Sequence, residues 1–232
     1  MNRIMHNIIG DIHGQSVWKS LVRDECINVF VGDFFDPYSY ALSYDDCKQN
    51  FLDIIDYKKA HPETVILYSN HELHYLLREE IGGRYSRYDY QHASEIQQLL
   101  QHYASYFNGI AYSVNNQYLV THAGVSRYWY YANIEPYINQ TPDDIAVHIN
   151  RLWEINHSPF ITNSAAPYQS PVWIRPWTLE NYNLFEGTSY KQIYGHTPRQ
   201  RIEKKNGLIG VDCLRSINQI GLENASFRIL QP

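Results

Sequence analysis

Apolar residues in this chain fall into short runs that stop abruptly at polar residues, often with glycine beside them. Runs of strand length rich in β-branched or aromatic residues occur at Ile4–Ile9, Ile27–Val31, Thr64–Tyr68, Tyr118–Thr121, Gln192–Tyr194, Gly207–Val211 and Ser226–Leu230. Helical spacing lies between several of them. From Ser43 to Lys59, Cys47, Phe51, Leu52, Ile54 and Ile55 form one stripe, Ser43 and Asp46 have capping-box spacing, and His61-Pro62 follows. Gln91 to Asn108 reads as a second helix, with Ile96, Leu99, Leu100, Tyr103 and Phe107 on its apolar face and Gly109 just past its end. Thr141-Pro142-Asp143-Asp144 opens a third as cap, first-turn proline and acidic first turn, with Ile145, Ile149, Leu152 and Trp153 to be buried. The prolines at 159, 167, 171 and 176 predict a loop from Asn156 to Tyr190. Strands alternating with helices in the first half predict α/β layering, and the strand-rich end from Gln192 predicts a mixed or second sheet.

Composition narrows the function classes. Of 232 residues, 44% are hydrophobic and 19% charged, as in ordinary globular proteins. The formal net charge of -5, without a dense Lys/Arg run, gives no footprint for nucleic acid or anionic membrane. No stretch reaches the roughly 18 apolar residues that span a bilayer. Cys26, Cys47 and Cys213 are far apart and read as free thiols, so a cytoplasmic location is expected. The 21 tyrosines, many between Tyr75 and Tyr137, read as packing and amphipathic surface rather than as a substrate-lining cap. His74 and Glu72 are read as rim and loop-bracing residues, and Arg84 and Arg87 as part of a solvated loop.

The chemistry lies where the apolar runs end. Ile8-Ile9 leads into Gly10-Asp11-Ile12-His13-Gly14, and Val29-Phe30-Val31 into Gly32-Asp33-Phe34-Phe35-Asp36. Val65 to Tyr68 leads into Ser69-Asn70-His71-Glu72, Leu119 to Thr121 into His122-Ala123-Gly124, and Ile193-Tyr194 into Gly195-His196-Thr197. Open α/β sheets gather their sites at the carboxyl ends of strands. These five ends supply Asp11, His13, Asp33, Asn70, His122 and His196. Such an oxygen and nitrogen set, without thiolate, suits Mn²⁺, Fe or Zn²⁺. A carboxylate such as Asp33 can bridge two cations, which then clamp a phosphoryl group and activate water.

These blocks resemble the calcineurin-like metallophosphoesterases, whose ordered motifs here read G-D-I-H-G, G-D-F-F-D, S-N-H-E, T-H-A-G-V and Y-G-H-T-P between Gly10 and Pro198. The resemblance implies a four-layer α/β/β/α sandwich of two mixed sheets flanked by helices, formed by residues 1–232 as a single domain. It also implies two divalent metal ions, Mn²⁺ first among them. Asp11 and His13 would hold one and Asn70, His122 and His196 the other, with Asp33 bridging. His71, oriented by Asp36, would assist the leaving oxygen. Pro198 and the last two motifs are similar to the phosphoprotein phosphatase branch, which includes bacterial and phage serine/threonine phosphatases and diadenosine tetraphosphatases. Two positions depart from that branch: Pro37 stands where it carries a phosphate-clamping arginine, and Ser69 replaces a glycine. Arg175, in V-W-I-R-P, is the candidate for a remaining clamp, the alternative being an arginine stem packed between Trp173 and Trp177.

The function so implied is hydrolysis of a phosphomonoester, of a protein or a small molecule, by a metal-bridging hydroxide. A phosphodiester or dinucleoside polyphosphate is the alternative, kept open by Pro37. A metal-binding module without turnover is a third reading. Substrate identity, metal pair and oligomeric state are not encoded in any motif.

Overall fold

The computed structural model describes residues 5–39, 41–77, 87–134, 140–161 and 165–230. Arg84 lies outside these residues. Strands β1 (Met5–Ile9), β2 (Cys26–Phe30) and β3 (Val65–Ile66) run parallel, and the last strand, β9 (Ser226–Leu230), pairs antiparallel with β1. The second sheet has the order β4 (Ala111–Val114), β5 (Tyr118–Thr121), β6 (Lys191–Tyr194), β8 (Leu208–Gly210) and β7 (Glu203–Lys205). Its central pairs are parallel and its two edge pairs antiparallel, so both sheets are mixed.

Alternation along the strands separates three apolar layers. Ile8, Val29, Val65, Val120, Ile193 and Ile209 meet between the two sheets. On the outer side of the first sheet, Ile9, Phe30 and Ile66 face the helices α1 (Tyr44–Ala60) and α3 (Ala93–His102). On the outer side of the second, Ala111 and Leu119 meet α4 (Arg127–Asn133), α5 (Pro142–Ile155) and α6 (Ser158–Ile161). Period-2 alternation is what lets each strand bury both faces. The result is a helix, sheet, sheet, helix stack, as expected from the motifs.

Local signals explain most boundaries. Ser43 accepts from the backbone of Asp46 and Asp46 returns the bond, the capping box that starts α1. Thr141 caps α5 with Pro142 at its first turn. The second helix is shorter than its stripe predicts: α3 stops at His102 and a 3-10 turn, Ala104–Tyr106, follows, so Gly109 caps nothing. The segment expected to be loop contains α6 and α7 (Pro176–Tyr182). Pro176 occupies the first turn of α7, where its missing N–H has no partner to lose. The three cysteines are buried and free, and among the described residues no helix is long and apolar enough to cross a membrane.

Candidate metal centre

The five strand ends converge at one edge of the stack. Asp11, His13 and Asp33 bring ligand atoms within 4.8 Å of one another. His13 Nε2 lies 3.2 Å from Asp33 Oδ2, and His122 Nε2 lies 3.5 Å from Asp33 Oδ1, so imidazoles approach both oxygens of one carboxylate. His122 Nε2 and His196 Nδ1 are 3.2 Å apart. Two nitrogens each about 2.1 Å from one ion would be separated by about that much at the angles of a tetrahedral or octahedral site. Asn70 opens α2 (Asn70–Leu76) and lines a cavity of about 70 Å³ together with Asp33, His71 and His196.

Each side chain is aimed by the backbone. His13 Nδ1 donates to the carbonyls of Phe35 and Asp36 at 3.1 and 3.0 Å, and His122 Nδ1 donates to Val31 O at 2.9 Å. Both bonds consume the Nδ1 proton and leave the Nε2 lone pair turned inward, which is how metal-binding histidines are fixed. The backbone N–H of His196 donates to both oxygens of Asp11, at 3.1 and 2.9 Å. That contact requires Gly195, because a Cβ there would stand 2.0 Å from Asp11 Oδ1. His13, Asp33, Asp36 and His196 all adopt positive φ, between 45° and 65°. Non-glycine residues seldom enter this region, and strained backbone of this kind gathers where side chains must be held for function.

Ser69 and Glu72 lock two of the loops together. Glu72 accepts from the backbone amides of Ser69 and Asp33 at 3.1 Å and of Phe34 at 2.9 Å. Ser69 Oγ accepts from the amides of Asp33 and His71 at 3.0 and 3.1 Å, and it caps α2. The substitution of serine for glycine is therefore used, not merely tolerated. Its Cβ leaves no room for a side chain at Gly32, whose own Cβ would lie 2.5 Å away at φ +109.

The electrostatics ask for cations. Asp11, Asp33 and Asp212 are each at most 2% exposed. Burial, then Asp212 and Asp33, hold the Asp11 carboxyl well above the ordinary range, and burial likewise raises Asp212 to about 6. Burial would also raise Asp33, but His122, His71 and His13 together hold it well below. Burial lowers His122 to about 4 and holds His196 well below the ordinary imidazole range, so both imidazoles are neutral and able to ligate. Among the described residues, His13 Nε2, Asn70 Oδ1 and both Asp212 oxygens find no hydrogen-bond partner. Buried polar atoms without partners are costly, and divalent ions satisfy this donor set. The residues present thus fit the metals that the motifs imply.

The other predicted residues are also placed here. His71 Nδ1 donates to Asp36 Oδ2 at 2.5 Å, and Tyr75 Oη donates to the other Asp36 oxygen. Burial opposes charge on His71, but Asp33 and the bonded Asp36 outweigh it and raise its pKa to about 9. Arg175 lines the same cavity and donates from Nη1 to His196 O at 3.2 Å and Thr197 Oγ1 at 3.1 Å. It is held at the site rather than between tryptophans, Trp177 being 64% exposed. His74 is buried against Trp173, on the cavity wall.

Two residues of the site, Asp212 and Tyr38, went unread in the sequence, and Trp173 was read only as packing for the Arg175 stem. Asp212 was within reach, because it follows β8 just as the other polar residues follow their strands. Arg87, read as part of a solvated loop, is exposed, yet its Nη2 lies 3.3 Å from His71 Nε2. Cavity size would not have found the site. Larger hollows of about 410 and 580 Å³ lie near Arg201, away from these ligands.

A family model described as calcineurin-like phosphoesterase matches residues 7–215. The chain belongs to that family. A comparison with curated protein sequences gave no significant match. Among solved structures, a cold-active protein-tyrosine phosphatase from a psychrophilic Shewanella species aligns with a TM-score of 0.54 at 18% identity, covering 93% of this chain and 73% of that one. A mutant of a cold-active protein tyrosine phosphatase gives 0.51 at 18% identity, with 93% and 73% covered. A protein serine/threonine phosphatase from Saccharomyces cerevisiae, described as similar to human PP5, gives 0.49 at 20% identity, with 89% and 66% covered. At these identities the likeness concerns the fold alone. The two mixed sheets flanked by helices are the calcineurin-like phosphoesterase fold, and the buried Asp11, His13 and Asp33 form its candidate metal site.

Proposed function

We propose that residues 1–232 act as one metallophosphoesterase unit that hydrolyses phosphomonoesters with two divalent cations, Mn²⁺ being the first candidate. Asp11 and His13 would hold one cation, Asn70, His122 and His196 the other, and Asp33 would serve both. The observation that carries the reading is the approach of His13, His122 and His71 to one buried carboxylate, Asp33, at 3.2, 3.5 and 3.9 Å. When bound, such a pair of ions supplies Lewis acidity to phosphoryl oxygens and lowers the pKa of water.

The chain's own residues do the rest. Arg175, anchored on the carbonyl of His196, presents its remaining N–H groups to the equatorial oxygens of the phosphoryl group. His71 stands on the leaving-group side. Its proton at Nδ1 is committed to Asp36, and Nε2 delivers a proton to the departing oxygen. The Asp36 carboxylate bonded to Nδ1 favours the protonated ring. The cavity of about 70 Å³ is far below the ~300–1,000 Å³ of a site that swallows a drug-sized ligand. A second hollow of about 290 Å³, lined by His13, Tyr38 and Arg215, shares Tyr38 with it, so a phosphoryl group in the small cavity has room beside it for the body of a phosphorylated protein segment or a small phosphate ester.

Hydrolysis of an aryl phosphate tests this reading. Purified protein with Mn²⁺ should release phosphate, lose activity in chelator and regain it on adding metal. A parallel bis-aryl phosphate should turn over more slowly. Equal turnover in chelator, or preference for the diester, would sink the monoesterase assignment.

A further inference from the structure

Arg175 reaches the small cavity from one side, and a second guanidinium reaches it from another. Arg87 lines the cavity with Asn70, His71 and Arg175. Its Nη2 is 3.3 Å from His71 Nε2, the nitrogen that faces the leaving group. Its guanidinium carbon lies 3.6 Å from the centroid of the Tyr38 ring, close enough for flat stacking. Arg215 lies 3.7 Å from the same centroid. Two guanidinium groups that close to one centroid cannot share a face, so Tyr38 is held between them. His13 packs edge-on against the ring at 4.5 Å between centroids.

We infer that Arg87 is the second arm of the phosphate clamp, with Tyr38 as the plate that sets its plane. Stacking leaves the edge N–H groups of a guanidinium to bond in the plane of the fork, the geometry that grips two oxygens of one phosphoryl group. The backbone agrees: Arg87 adopts φ +67, a conformation that a freely solvated arginine has no reason to keep. The plate is the residue after Pro37, so the chain supplies from a distant stretch a cation that Pro37 cannot provide. Arg87 and Arg175 together then select a dianionic phosphoryl group, whose three free oxygens accept from more N–H donors than the two of a diester can. The inference rests on the phosphoesterase reading.

The test uses the full-length, Mn²⁺-loaded protein and inorganic phosphate as the probe, so that binding is read even without turnover. Calorimetry should show phosphate affinity falling at least about 10-fold in Arg87→Ala, and kcat/KM on an aryl phosphate falling about 10²-fold. Bound manganese and the melting transition should stay at wild-type values. Arg87→Lys should recover little, because a point charge lacks the fork. Adding Pro37→Arg to Arg87→Ala should restore part of the phosphate affinity. Phosphate affinity within about twofold of wild type in Arg87→Ala overturns the inference. So does a loss that comes together with manganese or cooperative melting in both Arg87→Ala and Arg87→Gln, which would make Arg87 a structural prop. Failure of the wild type to bind phosphate or hydrolyse any ester would fall on the phosphoesterase reading instead.

Discussion

Around Asp33 the side chains are buried and each is pinned by main chain: His13 by two carbonyls, His122 by Val31 O, Asp11 by the amide of His196. Around Arg175 and Arg87 the anchors are a carbonyl, a hydroxyl and an aromatic face, and Arg87 is exposed at the cavity mouth. The inner cradle is made by residues that follow strands directly, so the sheets dictate their positions. The cationic rim comes from segments between elements, free to vary without disturbing the sheets. The contrast separates two jobs. In the proposed reading the cradle sets the reaction class, through metal ligation, and the rim sets which phosphate enters and how tightly it is gripped.

Changes in the cradle should therefore have larger effects, and of a different kind, than changes at the rim. Asp33→Ala removes the one carboxylate common to both ion sites and should leave no measurable turnover of aryl phosphate, with bound manganese lost in elemental analysis. His71→Ala keeps every ligand but removes the proton donor. It should lower kcat by about 10²–10⁴ with metal content intact, and least for substrates with acidic leaving groups. Arg175→Ala acts at the rim, lowering kcat/KM by about 10²–10³ without changing manganese content. A rim variant that loses metal would break the distinction. Gly195→Ala forces Asp11 from its seat and should weaken manganese binding about 10–100-fold by calorimetry, the usual cost of disturbing what orients a ligand.

The smallest effect is a proton count. Without metal, the Asp11 and Asp212 carboxyls hold protons above the ordinary carboxylate range, Asp212 to about 6. A cation binds the deprotonated forms, so its entry must expel what is still bound. Release per ion should be larger at about pH 5.5 than at about pH 8, where Asp212 is already ionised, and Asp212→Asn should shrink the difference. Calorimetry in buffers of different ionisation enthalpy reads this directly. Equal release at both pH values would separate Asp212 from the cradle.

The same contrast explains what could be read in the sequence. The cradle was legible because five apolar runs end in a carboxylate, imidazole or amide beside a tight turn, and each of those residues lies where the strands converge. Asp212 obeys the same rule after β8 and was passed over for want of a motif around it. Strands β4 and β7 were missed for a different reason. Both are edge strands: β7 is exposed throughout, and β4 is buried only at Ala111 and Val114, with Tyr112 and Ser113 half-buried between them. Their hairpin signals were present: Asn115-Asn116 and Asn206-Gly207 all take positive φ, as tight hairpin turns require. Of the rim, only Arg175 was legible, through the resemblance of its V-W-I-R-P segment. Tyr38, Arg87 and Trp173 sit in segments without periodicity, and nothing local says that one arginine will stack on a tyrosine far back in the chain. The helix α7 hid behind its own Pro176, a residue that breaks helices in their interior and starts them at their first turn.

Anomalous diffraction at the manganese edge, from crystals grown with saturating Mn²⁺, tests the central claim most directly. The account predicts two peaks flanking the Asp33 carboxylate, one within bonding distance of Asp11 and His13, the other of Asn70, His122 and His196. A saturated crystal with no peak against Asp33, or with ions bound only elsewhere, would contradict it.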